Sequence, residues 1–380
     1  MTNVRRKPVV LETLVDDTFK VKPLPQPHGK WPYRLRVERF LPEIDERASS
    51  ISFHVVGDTG SMKQRSFQHM VAREMTKQLL VENNLSAPSF MLHLGDVVYN
   101  YGEASEYPAQ FFKPYEQYPA PIFALAGNHD ADINPEAAAR YESLDAFMKV
   151  FCAKSSDSVP FSESSSRLSV TQPNVYWTLV TPLANIICLY GNATKYGYIS
   201  EEQEAWFVQE LLSAQKDRPK KAIIVCVHQA PYSADTNHGS SLNMITFLER
   251  SFHAAGVKPD LVLSGHVHNY QRFSKHYEDG ATVPYVVAGA GGYADLHRIA
   301  EPGDPAVLDD LPIMKSVHLE NYCDSYHGFL KIKLDKQEVG ILITCEYFTF
   351  SSDVQTEDAV LFERFYVPVS YPEYQVSLPQ

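Results

Sequence analysis

The sequence predicts an α/β fold on three observations. Short β-rich apolar runs recur along the chain, helical stretches separate several of them, and a Gly or polar cluster closes five of the runs. Alternation of this kind marks strands laid side by side and covered by helices. In order, the runs are ISFHVV from Ile51, SFMLHL, PIFALA, VYWTLV, NIICLY, AIIVCV, DLVLSG and YVVAG. Between the first two, RSFQHMVAREMTKQLLVE sets Phe67, Met70, Val71, Met75 and Leu79 at helical spacing. SEEQEAWFVQELLSAQ does the same with Trp206, Leu211 and Leu212, after Ser200 as N-cap with Gln203 three residues on. Past residue 320 the helices stop, and GFLKIKL, GILITCEYFTF and VLFERFYV follow one another, with DKQEVG as a hairpin turn between the first two. The sheet system therefore closes with an antiparallel portion.

Residues 1–48 are rich in Pro and charge, without a sustained period, and are expected to form an extended arm packed over a core built by residues 49–380. The Ser-rich stretch 153–169 and the Pro- and Gly-punctuated stretch 298–317 read as long surface loops of the kind that serve as lids. At 380 residues with 44% hydrophobic and 21% charged side chains, a sizeable core can be buried and dominant disorder is excluded. Lys and Arg number 34 against 46 Asp and Glu, a net charge of -12, which argues against partners that are nucleic acid or an anionic membrane surface. The five cysteines are odd in number and widely spaced, and three sit in apolar runs, so they read as reduced core residues. The basic start followed by acids matches neither a signal peptide nor a membrane span, which makes a cytoplasmic location the default expectation.

The chemistry lies at the strand ends. GDTG at 57–60, GDVVYN at 95–100, GNHD at 127–130, His228 and GHVH at 265–268 each follow an apolar run. In open α/β sheets the crevice outside the carboxyl ends of the strands is where ligands bind, so these side chains can converge. Carboxylates, an amide, imidazoles and a phenol without a thiolate suit iron, manganese or zinc. Asp58, Asp96, Tyr99, Asn128, His228, His266 and His268 are too many for one tetrahedral ion and suit two ions sharing a carboxylate. Such pairs, about 3.5–4 Å apart, clamp the attacking and leaving oxygens of a displacement, and the natural chemistry is hydrolysis of a phosphate ester. Each residue alone has a plainer reading: an Asp after Gly is commonly a turn former or helix cap, and Tyr99 a half-buried aromatic. The case rests on all five blocks occurring in one chain.

Those blocks, read as GDTG, GDVVY, GNHD, VCVH at 225–228 and GHVH, resemble the calcineurin-like metallophosphoesterases and, within them, the purple acid phosphatases. The resemblance spans roughly residues 51–292 and includes AGAGGY at 288–293. It implies a four-layer αββα sandwich of two mixed β-sheets flanked by helices. It also implies two metal ions: iron(III) held by Asp58, Asp96, Tyr99 and His268, and iron(II), zinc or manganese held by the bridging Asp96 with Asn128, His228 and His266. Most of the wider family carries His where Gly60 stands, and a Tyr99 phenolate would substitute for it. The implied activity is hydrolysis of phosphate monoesters of small substrates by a metal-bound hydroxide. A phosphodiesterase or nucleotide pyrophosphatase on the same centre is the alternative, and a non-catalytic scaffold a further one.

A trivalent and a divalent ion carry more charge than Asp58, Asp96, a Tyr99 phenolate and one hydroxide remove. Roughly one positive charge is left to attract phosphate, and activity is expected to persist at mildly acid pH. His129 is expected to serve the leaving-group oxygen, with Asp130 fixing its tautomer. His238, in PYSADTNHG, resembles a His-Gly of the small purple acid phosphatases that touches the phosphate, with a solvent-exposed loop histidine as the alternative. His54 and His93, inside strands, read as hydrogen-bonded core residues.

Overall fold

The computed structural model describes residues 7–81, 87–308, 310–350 and 358–369. In chain order the strands are β1 (Val10–Leu11), β2 (Arg34–Arg36), β3 (Ser50–Val56), β4 (Met91–His93), β5 (Ile122–Ala124), β6 (Trp177–Val180), β7 (Ala184–Cys188) and β8 (Ala222–Val227). They continue with β9 (Leu261–Ser264), β10 (Tyr270–His276), β11 (Thr282–Ala288), β12 (Val307–Leu308), β13 (Val317–Cys323), β14 (Gly328–Lys336), β15 (Ile341–Thr349) and β16 (Val360–Val369). The α-helices are α1 (Ser66–Val81), α2 (Asn128–Ala131), α3 (Asp145–Phe151), α4 (Glu201–Gln215) and α5 (Leu242–Ala255). All eight apolar runs are strands.

Two mixed sheets form the centre, eight strands in the order β13-β10-β11-β9-β8-β7-β6-β2 and six in the order β16-β15-β14-β3-β4-β5. Phe123 of β5 meets Trp177 of β6, and Tyr270 of β10 stacks on Tyr347 of β15 at 3.9 Å, so the sheets face each other across an aromatic core. Helix α1 covers the six-stranded sheet, and α4 with α5 covers the eight-stranded one, which completes the four layers. Every residue of β8 is buried because both of its faces are covered, which explains why AIIVCV shows no alternation. Strands β3, β4 and β5 run parallel, as do β7, β8, β9 and β11. The carboxyl ends of the two groups are stitched together: Gly57 donates to Ala288 O at 2.9 Å, and Gly291 donates back to Gly57 O at 3.1 Å.

The C-terminal hairpin is as expected. Gln337 N donates to Gly340 O at 3.0 Å in the turn, and β14, β15 and β16 extend β3 antiparallel. Ser200 caps α4 by accepting from Gln203 N at 3.2 Å, but the Gln203 side chain closes no capping box. It is buried and instead pairs with both backbone groups of Tyr190, and Leu212, expected on the apolar face, is 45% exposed while Phe207 fills the core. His54 is buried between Tyr118 Oη and Gln78 Oε1, both at 3.0 Å, and burial pushes its imidazole down to about 3. His93 is likewise buried, with Thr59 Oγ1 at 2.9 Å. The five cysteines are free and buried.

Three segments are tied down more closely than their composition suggested. Within the N-terminal 48 residues, β2 adds an edge strand parallel to β6, and β1 pairs antiparallel with β12. Hence 298–317 is not a free loop: Val307 pairs with Leu11, and Met314 is fully buried. The Ser-rich stretch is pinned by Arg167, whose guanidinium donates to the carbonyls of Tyr115 and Ala120. Among the described residues, no helix is long and apolar enough to cross a membrane.

Candidate metal centre

Five strand ends deliver the predicted side chains to one place. Asp58 follows β3, Asp96 and Tyr99 follow β4, Asn128 opens α2 after β5, His228 follows β8, and His266 and His268 follow β9. All are buried except Asn128, which is half-buried. Asp58, Asp96 and His266 have φ of 57°, 53° and 70°, the left-handed region that non-glycine residues enter at a cost. Strain concentrated at three convergent polar residues is a mark of function.

The contacts divide about Asp96. On one side Tyr99 Oη lies 3.0 Å from Asp96 Oδ2, 3.3 Å from Asp58 Oδ1 and 3.2 Å from His268 Nε2. On the other, His228 Nε2 lies 3.3 Å from Asp96 Oδ2 and 3.2 Å from Asn128 Oδ1. The donor atoms of Asp96, His228 and His266 all fall within 4.8 Å of one another. At Gly60 a Cβ would lie 2.5 Å from Gln110 Oε1 and 2.7 Å from Val97 O, so that position has no room for an imidazole.

Tautomers tell what the pocket is for. His228 Nδ1 donates to Leu94 O at 2.8 Å and His268 Nδ1 to Asp295 O at 3.1 Å, which turns both Nε2 lone pairs inward. His266 Nε2 is buried and has no hydrogen-bond partner among the described residues. Lone pairs from nitrogen and oxygen thus face one another with too few protons between them, an arrangement that a cation satisfies. The electrostatics express the same demand for positive charge, which at His228 a proton on Nε2 meets when no cation does. Burial opposes charge on His228, yet Asp96 outweighs it and pushes the imidazole up to about 9. Burial also opposes charge on Asp96, but His228 holds that carboxyl below its ordinary range, while burial drives Asp58 well above it. Burial, reinforced by Asp96 and Asp58, raises the Tyr99 phenol, which keeps its proton unless a cation replaces it. The residues present therefore fit a two-metal centre.

The neighbouring candidates divide. His129 lies at the rim, its backbone N donating to Asp96 Oδ1 at 2.9 Å and its ring 4.5 Å from that of Tyr99. Its Nδ1 donates to Asn100 O at 2.8 Å, so the tautomer is fixed by a backbone carbonyl and not by Asp130. This corrects the expectation for Asp130. Its buried carboxylate accepts from Val97 N at 3.1 Å, Val98 N at 3.2 Å and Gly127 N at 2.9 Å, and so ties the loop after β4 to the start of α2. His238 reaches the pocket, its ring 4.2 Å from His266 and 6.2 Å from His268.

Sequence reasoning missed Asp235, Tyr293 and His297. His297 stacks on His268 at 4.2 Å, and Tyr293 lies 4.3 Å from the same ring. The only signals were the Asp three residues before His238, the Tyr293 that ends AGAGGY, and the position of His297 four residues beyond it. Asp235, His238 and His297 also lie close enough to share an ion, but Asp235 is already committed. It accepts from Ser233 Oγ and from the backbone of Asn237, His238 and Gly239, which makes it a turn anchor.

Comparison with known proteins agrees with this geometry. The calcineurin-like phosphoesterase family matches residues 51–270. Tartrate-resistant acid phosphatase type 5 of Rattus norvegicus is 25% identical over 317 residues, covering 77% of this chain and 86% of that protein. Purple acid phosphatase 18 of Arabidopsis thaliana is 26% identical over 249 residues, 64% of this chain and 50% of that one. Among solved structures, GAP50, described as the anchor in the inner membrane complex of Plasmodium, superposes with a TM-score of 0.53 at 16% identity, over 85% of this chain and 90% of that one, which is a likeness of fold. With more than half of its length matched and its strand-end residues converging on one pocket, the chain belongs to the calcineurin-like phosphoesterases, hydrolases of phosphoric esters.

Proposed function

We propose that this chain is a phosphomonoesterase of the purple acid phosphatase kind, acting on small phosphorylated substrates with two metal ions. The observation that carries the reading is the convergence of the inward-turned His228 and His268, the unpartnered His266 Nε2 and the shared Asp96 in one buried pocket. Its relatives named acid phosphatases support the reading. Asp58, Asp96, Tyr99 and His268 would hold a trivalent iron, and Asp96, Asn128, His228 and His266 a second iron, zinc or manganese. Such a pair supplies positive charge against the phosphoryl oxygens and acidifies water. His238, beside His266, donates to a phosphoryl oxygen. His129, its Nδ1 bound to Asn100 O, turns Nε2 to the leaving-group oxygen.

The test compares p-nitrophenyl phosphate with its bis ester on natively purified protein of known metal content. Preference for the monoester at mildly acid pH, with iron present and a visible phenolate-to-iron band lost in Tyr99→Phe, is the expected result. Preference for the diester would convert the reading to a phosphodiesterase. Metal-loaded protein that hydrolyses neither would leave a scaffold.

A further inference from the structure

We propose that residues 9–22 of the N-terminal segment are a positioning element of the active site, holding the 233–240 loop so that the His238 ring stays over the metal pocket. The inference rests on the phosphatase reading above for what His238 does, but not for how the loop is held.

The 233–240 loop contains no strand or helix, and the His238 ring packs 4.2 Å from His266 and 4.8 Å from His297 without a side-chain hydrogen bond among the described residues. Its Nδ1 is buried without a hydrogen-bond partner among the described residues, and Asp235 Oδ2 at 3.8 Å is within ion-pair but not hydrogen-bond distance. Beyond those ring contacts, the position of the ring depends on the backbone beneath it. From inside, Asp235 gathers the backbone N–H groups of Asn237, His238 and Gly239 at 2.8–3.0 Å. From outside, the clamp is Val9. Its N–H donates to Ser233 O and its carbonyl accepts from Ser240 N, both at 2.7 Å, so one arm residue closes the two ends of the loop. Gly239 sits between them at φ 64°, where a Cβ would lie 3.1 Å from Leu11 N and 3.3 Å from Val9 O. A side chain there would wedge the arm away from the loop.

The clamp has its own packing. Val9, Ala300 and Val307 form a small apolar cluster separate from the main core, with Leu11 against it. Val10 and Leu11 pair with Leu308 and Val307, and Ala300 N donates to Ala234 O at 2.8 Å on the other flank. Farther along, the arm crosses the pocket's surroundings. The Asp17 carboxylate accepts from Lys195 N at 2.8 Å, and Lys195 Nζ donates to Asn237 O, next to His238, at 2.9 Å. Lys20 pairs with Asp132 at 2.6 Å, and Asp132 N closes on Asn128 O at 2.9 Å. Lys22 and Asn192 exchange two hydrogen bonds. One stretch of arm thus braces the His238 loop and the helix that opens with Asn128. Because the cluster of Val9, Ala300 and Val307 is separate from the main core, to which the clamp contributes Val10, losing the clamp loosens the loop without unfolding the sheets.

Deletion of residues 1–11 is compared with His238→Ala and with the two combined. The deletion is expected to keep the full metal complement and to speed hydrogen exchange at the 233–240 amides. It should also lower kcat/KM on p-nitrophenyl phosphate by as much as His238→Ala does, on the order of 10²-fold. Combining the two should add no further loss, because the arm acts through that ring. Gly239→Val, which leaves the arm's sequence intact, is expected to give the same exchange pattern and covers failure of the deletion to fold. Unchanged exchange in 233–240, or activity losses that multiply in the combined variant, would overturn the proposal. Absence of any phosphatase activity in the parent would defeat the functional reading instead, and the exchange data would still decide the clamp.

Discussion

His266 combines two unfavourable features, a backbone at φ 70° and a buried Nε2 with no partner among the described residues. Leaving such an atom unsatisfied costs about 1–3 kcal/mol, a cost that a bound cation removes. Replacing it with Asn, which tolerates the left-handed region, should leave the metal-free protein no less stable. Wild type with metal at a thousand times its dissociation constant gains about 4 kcal/mol by mass action, and His266→Asn should lose most of that gain. Thermal unfolding with and without chelator reads both effects. An equal loss of stability in the two states would mean that the imidazole has a structural task instead. The seven pocket residues were legible in the sequence because each follows an apolar run closely, at the carboxyl end of a strand. Asp235, Tyr293 and His297 arrive on loops, where no period places a side chain. The role expected for Asp130 failed for a related reason: adjacency in sequence suggested His129 as its partner, whereas on a four-residue helix the carboxylate turns back to cap the backbone.

That capping is the event that builds α2. Asp130 gathers three backbone N–H groups from two loops, so the element presenting Asn128 and His129 is anchored by one buried carboxylate. Asp130→Ala strands those donors and should destabilise the metal-free protein by about 3 kcal/mol, measured by denaturant unfolding. A residue acting only through His129 would lower kcat and leave the unfolding midpoint unmoved. Helix α1 was readable because composition and period agree, and β3 and β8 because each is a short apolar run rich in β-branched or aromatic residues that ends in a Gly or polar residue. Strand β10 was not, because Gln271 and Lys275 are buried polar residues in a run that reads as surface. Gln271 is satisfied by Ala234 N and Ser233 Oγ, contacts distant in sequence that no local rule supplies. Leu212 misled in the opposite way, since helical spacing gave it a place on the apolar stripe, yet α4 rolls Phe207 inward instead.

On the scale of the molecule, the pocket is shared between two sheets, so whatever holds the sheets together also holds the metal ligands. The pairing of the sheets was the least legible feature, because strand order depends on contacts between segments hundreds of residues apart. One latch lies close to the site. Strand β10 begins two residues after His268, and its Arg272 donates to Glu363 of β16, in the opposite sheet, at 3.0 and 2.6 Å. Tyr270 Oη donates to the other carboxylate oxygen at 2.5 Å, and both ends of the ion pair are largely buried. Burial opposes the charge on Arg272, but the bond to Glu363 more than restores it. Removing one partner of such a pair leaves a desolvated charge, whereas removing both often costs little. Glu363→Ala is therefore expected to cost about 3 kcal/mol in unfolding free energy, while Arg272→Met with Glu363→Leu should recover most of it. Metal content gives the second readout. If the latch holds β10 in register with the six-stranded sheet, Glu363→Ala should also retain less metal through dialysis and the double variant as much as wild type. Equal metal retention in all three proteins would show that the aromatic core and the Gly57 hydrogen bonds hold the two sheets around the site without the latch.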